Sequence, residues 1–156
     1  HGMWAIVDMT WTKKLADYIS GRKCLEVMAG AGWLAKALSD HGVDIIATDN
    51  ESWDDRHTKM RRVFSVKVMD ALTAVDEHGD RDILIVSWSP YGMDILPFVK
   101  EWGEEKPIIY VGEGGGGCNA DEKFFDHLNI ETEMDIPQWW GMNDRVFIGK
   151  YSEEKM

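Results

Sequence analysis

The stretch from Lys23 to Trp33, KCLEVMAGAGW, decides the fold. Leu25, Val27 and Met28 make it apolar enough for a strand buried on both faces of a sheet, and Gly30, Ala31 and Gly32 follow at once. Leu34, Ala35, Ala37 and Leu38 then recur at helical spacing as far as Asp40 and His41. The pattern predicts a first parallel strand that turns directly into a helix. At such a junction a ligand can lie against bare backbone. Gly30 and Gly32 carry no Cβ to block its approach, and the first N–H groups of a helix point outward without intrahelical partners.

Upstream, Leu15, Ala16 and Ile19 follow capping candidates at Thr10 and Thr12 and predict a short amphipathic helix that ends near Gly21 and packs across the sheet edge. Downstream, Gly42 breaks the pattern, and Val43 to Thr48 predicts a second strand closing on Asp49, nineteen positions past Gly30. Trp53 to Met60 reads as a weak helix or loop. Val63 to Met69 predicts a third strand ending in Asp70, with a helix from Ala71 to Glu77. Asp82 to Trp88 is the most apolar strand candidate and runs into Ser89-Pro90-Tyr91-Gly92. Ile95, Leu96, Phe98, Val99 and Trp102 form the next helix face. Pro107 to Val111 is a fifth strand, followed by a glycine run from Gly112 to Gly117 that contains Glu113. Asn119 can cap a helix carrying Phe124, Phe125 and Leu128. Ile130 to Ile136 and Arg145 to Tyr151, joined by Pro137 to Asp144, leave no room for a crossover helix and predict an antiparallel hairpin.

Strand-helix units in this order, closed by a hairpin, predict an α/β fold: an open, mostly parallel, doubly wound sheet with helices on both faces and a C-terminal antiparallel strand. Ligands of such sheets bind outside the carboxyl ends of the strands. Gly30, Gly32, Asp49, Asp70, Ser89 to Gly92, the glycine run and Gln138-Trp139-Trp140-Gly141 all fall at that edge.

At 156 residues the chain is expected to form one domain, too short for a cofactor domain plus a separate substrate domain. Eight Trp and nine Met are a heavy load for this length; core filling is the ordinary explanation, and the surplus suggests that some line a pocket. The formal net charge of −11 argues against nucleic acid, whose phosphates require a cationic surface. A local basic knot, Arg56, His57, Lys59, Arg61 and Arg62, reads either as a solvated helix face or as a grip on an anionic substrate. Cys24 and Cys118 have no CxxC spacing and no secretory segment accompanies them, so neither a disulfide framework nor a metal site is expected and the expected location is cytoplasmic. No apolar run approaches a membrane span, and His1-Gly2 ahead of Met3 reads as an expression remnant.

Gly30-Ala31-Gly32-Trp33-Leu34-Ala35 satisfies GxGxxA, with Asp49 where a dinucleotide enzyme would hold a ribose. Two acids pull away from a nicotinamide cofactor: Glu26 inside the end of the first strand and Asp70 at the end of the third. Carboxylates repel a pyrophosphate. They suit a sulfonium amino acid linked to adenosine, which offers an ammonium group, ribose hydroxyls and an adenine amine as donors.

On these residues the chain resembles the class I S-adenosylmethionine-dependent methyltransferases. Glu26-Val27-Met28-Ala29-Gly30-Ala31-Gly32 looks like the family's acid-x-x-x-Gly-x-Gly signature, Asp49 like its second-strand acid and Asp70-Ala71 like its adenine-side position. The resemblance spans nearly the whole chain and includes the terminal hairpin. It implies S-adenosylmethionine as cofactor, with Asp49 on the ribose and Asn50 beside it, Asp70 and Ala71 at the adenine, and Glu26, Gly30, Ala31 and Gly32 at the methionine end. Trp53 would wall the adenine, and Ser87 would border the cofactor. The competing account of Asp49 and Asp70 is ordinary strand-end or capping carboxylates.

Val86-Ser87-Trp88-Ser89-Pro90-Tyr91 is similar in part to the Asn/Asp-Pro-Pro-aromatic motif of methyltransferases acting on planar or amide nitrogens, with Trp88 at the Asn/Asp position and Ser89 at the first Pro. The side-chain acceptor of that motif is therefore missing. Trp88, Ser89, Pro90, Tyr91, Trp139 and Trp140 are the candidate substrate residues, the aromatic ones offering π faces to a sulfonium or an aromatic acceptor. Tyr91 and Asp94 are the leading candidates for a catalytic base, with Asp144 and His57 behind them. The expected reaction is methyl transfer to a small molecule. A non-catalytic cofactor-binding module and a nicotinamide-linked oxidoreductase are the alternatives, and a homo-oligomer is left open.

Overall fold

The strand Cys24–Val27 (β1) is buried at every position and lies third from one edge of a seven-stranded sheet. The computed structural model describes residues 6–50, 62–90, 93–114 and 122–155. Around β1 stand α1 (Met9–Ile19), α2 (Trp33–Asp40), β2 (Ile45–Asp49), β3 (Val66–Val68), α3 (Ala71–Glu77), β4 (Ile83–Ser87), α4 (Leu96–Trp102), β5 (Ile108–Glu113), α5 (Glu122–Asp126), β6 (Leu128–Asp135) and β7 (Asp144–Tyr151). The sheet order is β3-β2-β1-β4-β5-β7-β6. The first five strands in the chain are parallel, and β7 runs antiparallel to both β5 and β6.

This is the open, mostly parallel, doubly wound sheet with a terminal antiparallel hairpin that the sequence predicts. Its strand order reverses at β1, which pairs with β2 on one side and β4 on the other. Such a switch leaves a crevice at the carboxyl ends of the two central strands.

Period-two alternation sorts the strand side chains onto two faces. Cys24, Ile45, Ala47, Ile83, Ile85, Ile109, Val111, Val146 and Ile148 pack beneath α1 and α2 in one apolar layer. Leu25, Val27, Leu84, Val86, Ile108, Tyr110 and Phe147 pack against α3, α4 and α5 in the other. The aromatic rings of Tyr110, Phe124, Phe125 and Phe147 meet in tilted and edge-on pairs in that second layer.

Several local expectations change; one is Leu128, expected on the helix with Phe124 and Phe125, which instead opens β6 opposite Tyr151. Asp8, not Thr10 or Thr12, caps α1: its Oδ1 accepts from the amides of Thr10 and Trp11, and both threonines lie inside the helix. That helix lies on the sheet beside α2, with Trp11, Leu15 and Ile19 in the same layer as Ile85 and Ile109, rather than across an edge. The third strand is cut to Val66–Val68, because only three residues find partners on β2. The fifth strand runs two residues further than its apolar run, through Gly112 and Glu113, because β7 pairs with both. Among the described residues no helix is long and apolar enough to cross a membrane.

Candidate functional site

The same alternation that builds the α1/α2 layer carries polar residues to its carboxyl-side rim. Asp49 continues Ile45 and Ala47, Glu26 continues Cys24, Ser87 continues Ile83 and Ile85, Glu113 continues Ile109 and Val111, and Asp144 precedes Val146. Four carboxylates and a hydroxyl from five strands therefore share one face of the sheet at one edge.

Glu26 is fully buried. The Ser87 hydroxyl donates to its Oε2, while its Oε1 is buried and meets no hydrogen-bond partner among the described residues. Burial pushes its carboxyl up to about 8; the Ser87 bond opposes the rise and the nearby Asp49 charge adds to it. Beside it, the Gly30 amide donates to Asp49 Oδ2 at 2.8 Å, and the Thr48 hydroxyl donates to the Glu26 carbonyl at 2.9 Å. The Ala29 amide donates to the Thr48 carbonyl at 3.0 Å, so the bend after β1 is tied to β2. Asn50 is exposed directly beyond Asp49.

The bend itself is backbone in unusual regions. Met28 has φ 59° and Gly30 has φ 59°, so a non-glycine residue occupies the left-handed region directly after β1. Gly32, also left-handed at φ 92°, is required by packing: a Cβ there would stand 2.7 Å from Phe64 Cβ. Ala31 is buried, and its carbonyl accepts from the Val63 amide at 2.9 Å. Of the glycine-turn residues, Gly30 is thus the one whose amide is held by the acid of the neighbouring strand, and Gly32 and Ala31 fix the turn against the segment before β3.

Asp70 caps α3, accepting from the Thr73 amide at 2.8 Å through Oδ1 and from the Thr73 hydroxyl at 3.1 Å through Oδ2. Those bonds hold its carboxyl below the usual range. Ala71 opens the helix next to it.

On the other side of Glu26, Ser87 leads into Trp88, whose φ of 46° puts it in the left-handed region and turns the chain out of β4. The Trp88 amide still donates to the Val111 carbonyl at 2.7 Å, and its indole Nε1 donates to Asp144 Oδ1 at 2.6 Å. Asp144 is fully buried, and its Oδ2 has no hydrogen-bond partner among the described residues. Burial holds this carboxyl above its usual value; the indole bond opposes that and the charge of Glu113, its register partner on β5, adds to it. Gln138 clamps the same residue through the backbone: its Oε1 accepts from the Asp144 amide at 2.5 Å, and its Nε2 donates to the carbonyls of Ile136 at 2.8 Å and of Asp144.

The structure thus brings Glu26, Gly30, Asp49, Ser87 and Trp88 into one rim, joined by Asp144. Ser89 turns the other way, buried with its hydroxyl 3.1 Å from the Tyr110 hydroxyl, and Pro90 is exposed. Asp94 is exposed and accepts from the Leu96 amide at 3.1 Å, bracing the start of α4. Trp139 is partly exposed and Trp140 wholly exposed at the turn of the hairpin, where the Met142 amide donates to the Trp139 carbonyl at 3.0 Å. Trp53, Tyr91 and, from the basic knot, Arg56, His57, Lys59 and Arg61 lie outside the described residues, whereas Arg62 donates to the Val66 carbonyl at 3.1 Å. Glu113, which the sequence hides inside a glycine run, joins the rim because Ile109, Val111 and Glu113 share one parity.

No model of a known protein family matches the sequence, and no curated protein matches it. Solved structures do share its fold. A TehB-like SAM-dependent methyltransferase from Corynebacterium glutamicum superposes with a TM-score of 0.55 at 17% identity, over 90% of this chain and 87% of its own. A 1,6-didemethyltoxoflavin-N1-methyltransferase from Burkholderia thailandensis, solved with 1,6-didemethyltoxoflavin and S-adenosylhomocysteine, gives 0.60 at 11% identity over 93% and 78%. The mitomycin 7-O-methyltransferase MmcR gives 0.53 at 11% identity over 92% of this chain and 54% of that one.

Proposed function

We propose, from a chain that has the fold of the class I S-adenosylmethionine-dependent methyltransferases, that it transfers a methyl group from S-adenosylmethionine to a small-molecule acceptor. The observation that carries this reading is Glu26 Oε1: a fully buried carboxylate oxygen that meets no partner among the described residues, near the end of β1 where the strand order reverses. Buried acceptors are nearly always satisfied, so an orphan there calls for a donor from a ligand. The donor set of S-adenosylmethionine fits: an ammonium group for Glu26, ribose hydroxyls for Asp49, and an adenine amine toward the Asp70-Ala71 end. A diphosphate, which brings only acceptors and negative charge, does not fit a rim of carboxylates.

When bound, the cofactor supplies a methyl carbon already activated by a positive sulfur. What remains for the protein is to hold the acceptor in line and to keep water out. Glu26 and Asp49 anchor one side of the site, and Ser87 and Trp88 carry the chain from that anchor toward Asp144. The known substrates of the structural neighbours include a nitrogen acceptor and an oxygen acceptor by their names, so the fold admits either. The test is incubation of the purified protein with methyl-labelled S-adenosylmethionine and a metabolite extract. A labelled small molecule supports the reading. Cofactor binding without any labelled product would leave a non-catalytic cofactor-binding module.

A further inference from the structure

We infer that Asp144 receives the methyl acceptor, and that this acceptor is an amine, bound as its ammonium ion through Asp144 Oδ2. The inference rests on the proposed methyltransferase reading and adds the acceptor class to it.

Three observations carry it. Asp144 is fully buried at the start of β7, yet its Oδ2 meets no partner among the described residues, so the site holds an acceptor without its donor. The residue is fixed from two directions, by the Trp88 indole on Oδ1 and by Gln138 on its backbone amide and carbonyl, so Oδ2 is left in a set direction. A carboxylate held this tightly with one oxygen idle is arranged for something outside the protein. Glu113 stands opposite Asp144 in the β5–β7 register, placing a second negative charge beside it. Two carboxylates side by side in a buried setting disfavour a neutral or anionic guest and favour a cation that also donates hydrogen bonds.

Trp88 gives the arrangement its logic. It stands where the resembling motif carries an acidic or amide side chain, and it has none to offer. Its indole instead reaches the carboxylate on β7, so the acceptor oxygen that the β4 loop lacks is delivered by another strand. The guest's ammonium N–H breaks as the Oδ2–H bond forms, the proton passing to Asp144 and the lone pair remaining on nitrogen, where it is available for methylation. Burial and Glu113 both raise the affinity of Asp144 for that proton.

The experiment uses the full chain loaded with S-adenosylhomocysteine and follows the Trp88 indole N–H resonance while benzylamine or benzyl alcohol is added. An amine on Oδ2 alters the hydrogen bond on Oδ1, so benzylamine is expected to shift the Trp88 signal and benzyl alcohol is not. Asp144→Asn keeps an acceptor for Trp88 and removes the charge; it should weaken benzylamine binding by at least about tenfold while S-adenosylhomocysteine affinity stays within about twofold. In the labelled-extract assay the product should carry its methyl group on nitrogen, and Asp144→Asn should slow its formation by roughly a hundredfold or more. Equal shifts with amine and alcohol, no shift with either, an O- or C-methylated product, or an unaffected Asp144→Asn variant would each overturn the inference. Failure of S-adenosylhomocysteine to bind would instead overturn the methyltransferase reading beneath it.

Discussion

The Gly30 amide and the Asp49 carboxylate meet at 2.8 Å, joining the bend after β1 to the end of β2 across nineteen residues of sequence. One acid thereby fixes the backbone of the glycine turn and presents its charge at the crevice where the strand order reverses. Replacing Asp49 with Ala removes the acceptor and leaves a buried N–H unpaired, which costs about 1–3 kcal/mol. The expected outcome is a lower melting temperature together with S-adenosylmethionine affinity reduced at least about tenfold by calorimetry. Asp49→Asn keeps an acceptor for Gly30 and should recover most of the stability but little of the affinity.

Glu26 links the site to pH. Its carboxyl is pushed up to about 8 in the fold from 4.5 as the ordinary value. Between those values the folded chain holds a proton that the unfolded chain releases, so stability falls as pH rises through that window. It is highest below the lower value and levels off above the upper one. The slope approaches about 1.4 kcal/mol per pH unit for this group alone. Glu26→Gln, which keeps an oxygen for Ser87, should flatten the urea-unfolding stability measured between pH 5 and 8 relative to the parent. Parallel losses in the two proteins would contradict the assignment.

Gly32 and Gly42 form a matched pair for separating backbone strain from crowding. Both have positive φ, 92° and 90°, but a Cβ on Gly32 would meet Phe64 Cβ at 2.7 Å whereas none of the described residues lies within 4 Å at Gly42. Gly42→Ala should cost about 1 kcal/mol and Gly32→Ala roughly 3 kcal/mol or more by chemical denaturation. The larger loss should be accompanied by changed amide signals for Val63 and Phe64, whose segment is held to the turn by the Val63–Ala31 bond.

Trp88→Phe tests the indole bond. It removes the donor at 2.6 Å from Asp144 Oδ1 and leaves the buried carboxylate without it. The expected loss is about 1–3 kcal/mol, and in a double-mutant cycle with Asp144→Ala, which removes the acceptor, the two losses should be less than additive. Strict additivity would mean that the bond contributes nothing to the fold.

Much of this site is legible in the chain because it lies where apolar periodicity stops. KCLEV followed by glycines marks β1 and its turn; Asp49 and Asp70 are visible as acids ending apolar runs, and α3 spans the Ala71 to Glu77 range that its sequence suggests. What the sequence hides depends on pairing. Gly112 and Glu113 read as a loop because glycine breaks the apolar run, yet the antiparallel β7 recruits both into β5 and turns Glu113 onto the rim. Asp144 reads as the last residue of a hairpin loop, and only its register against Glu113 and the reach of Trp88 bring it to the site. Asp8 escapes notice as the cap of α1 because Thr10 and Thr12 are also capping residues and stand closer to the apolar positions. Local pattern specifies elements and their ends; contacts between strands distant in sequence decide which polar side chains share an edge.

The most direct measurement is a crystal structure of the protein with S-adenosylhomocysteine. The account predicts the ligand at the bend after Met28, its amino group within hydrogen-bond distance of Glu26 Oε1 and its ribose hydroxyls on Asp49. A ligand seated elsewhere, or a bend that instead accepts the diphosphate of a nicotinamide cofactor, would contradict it.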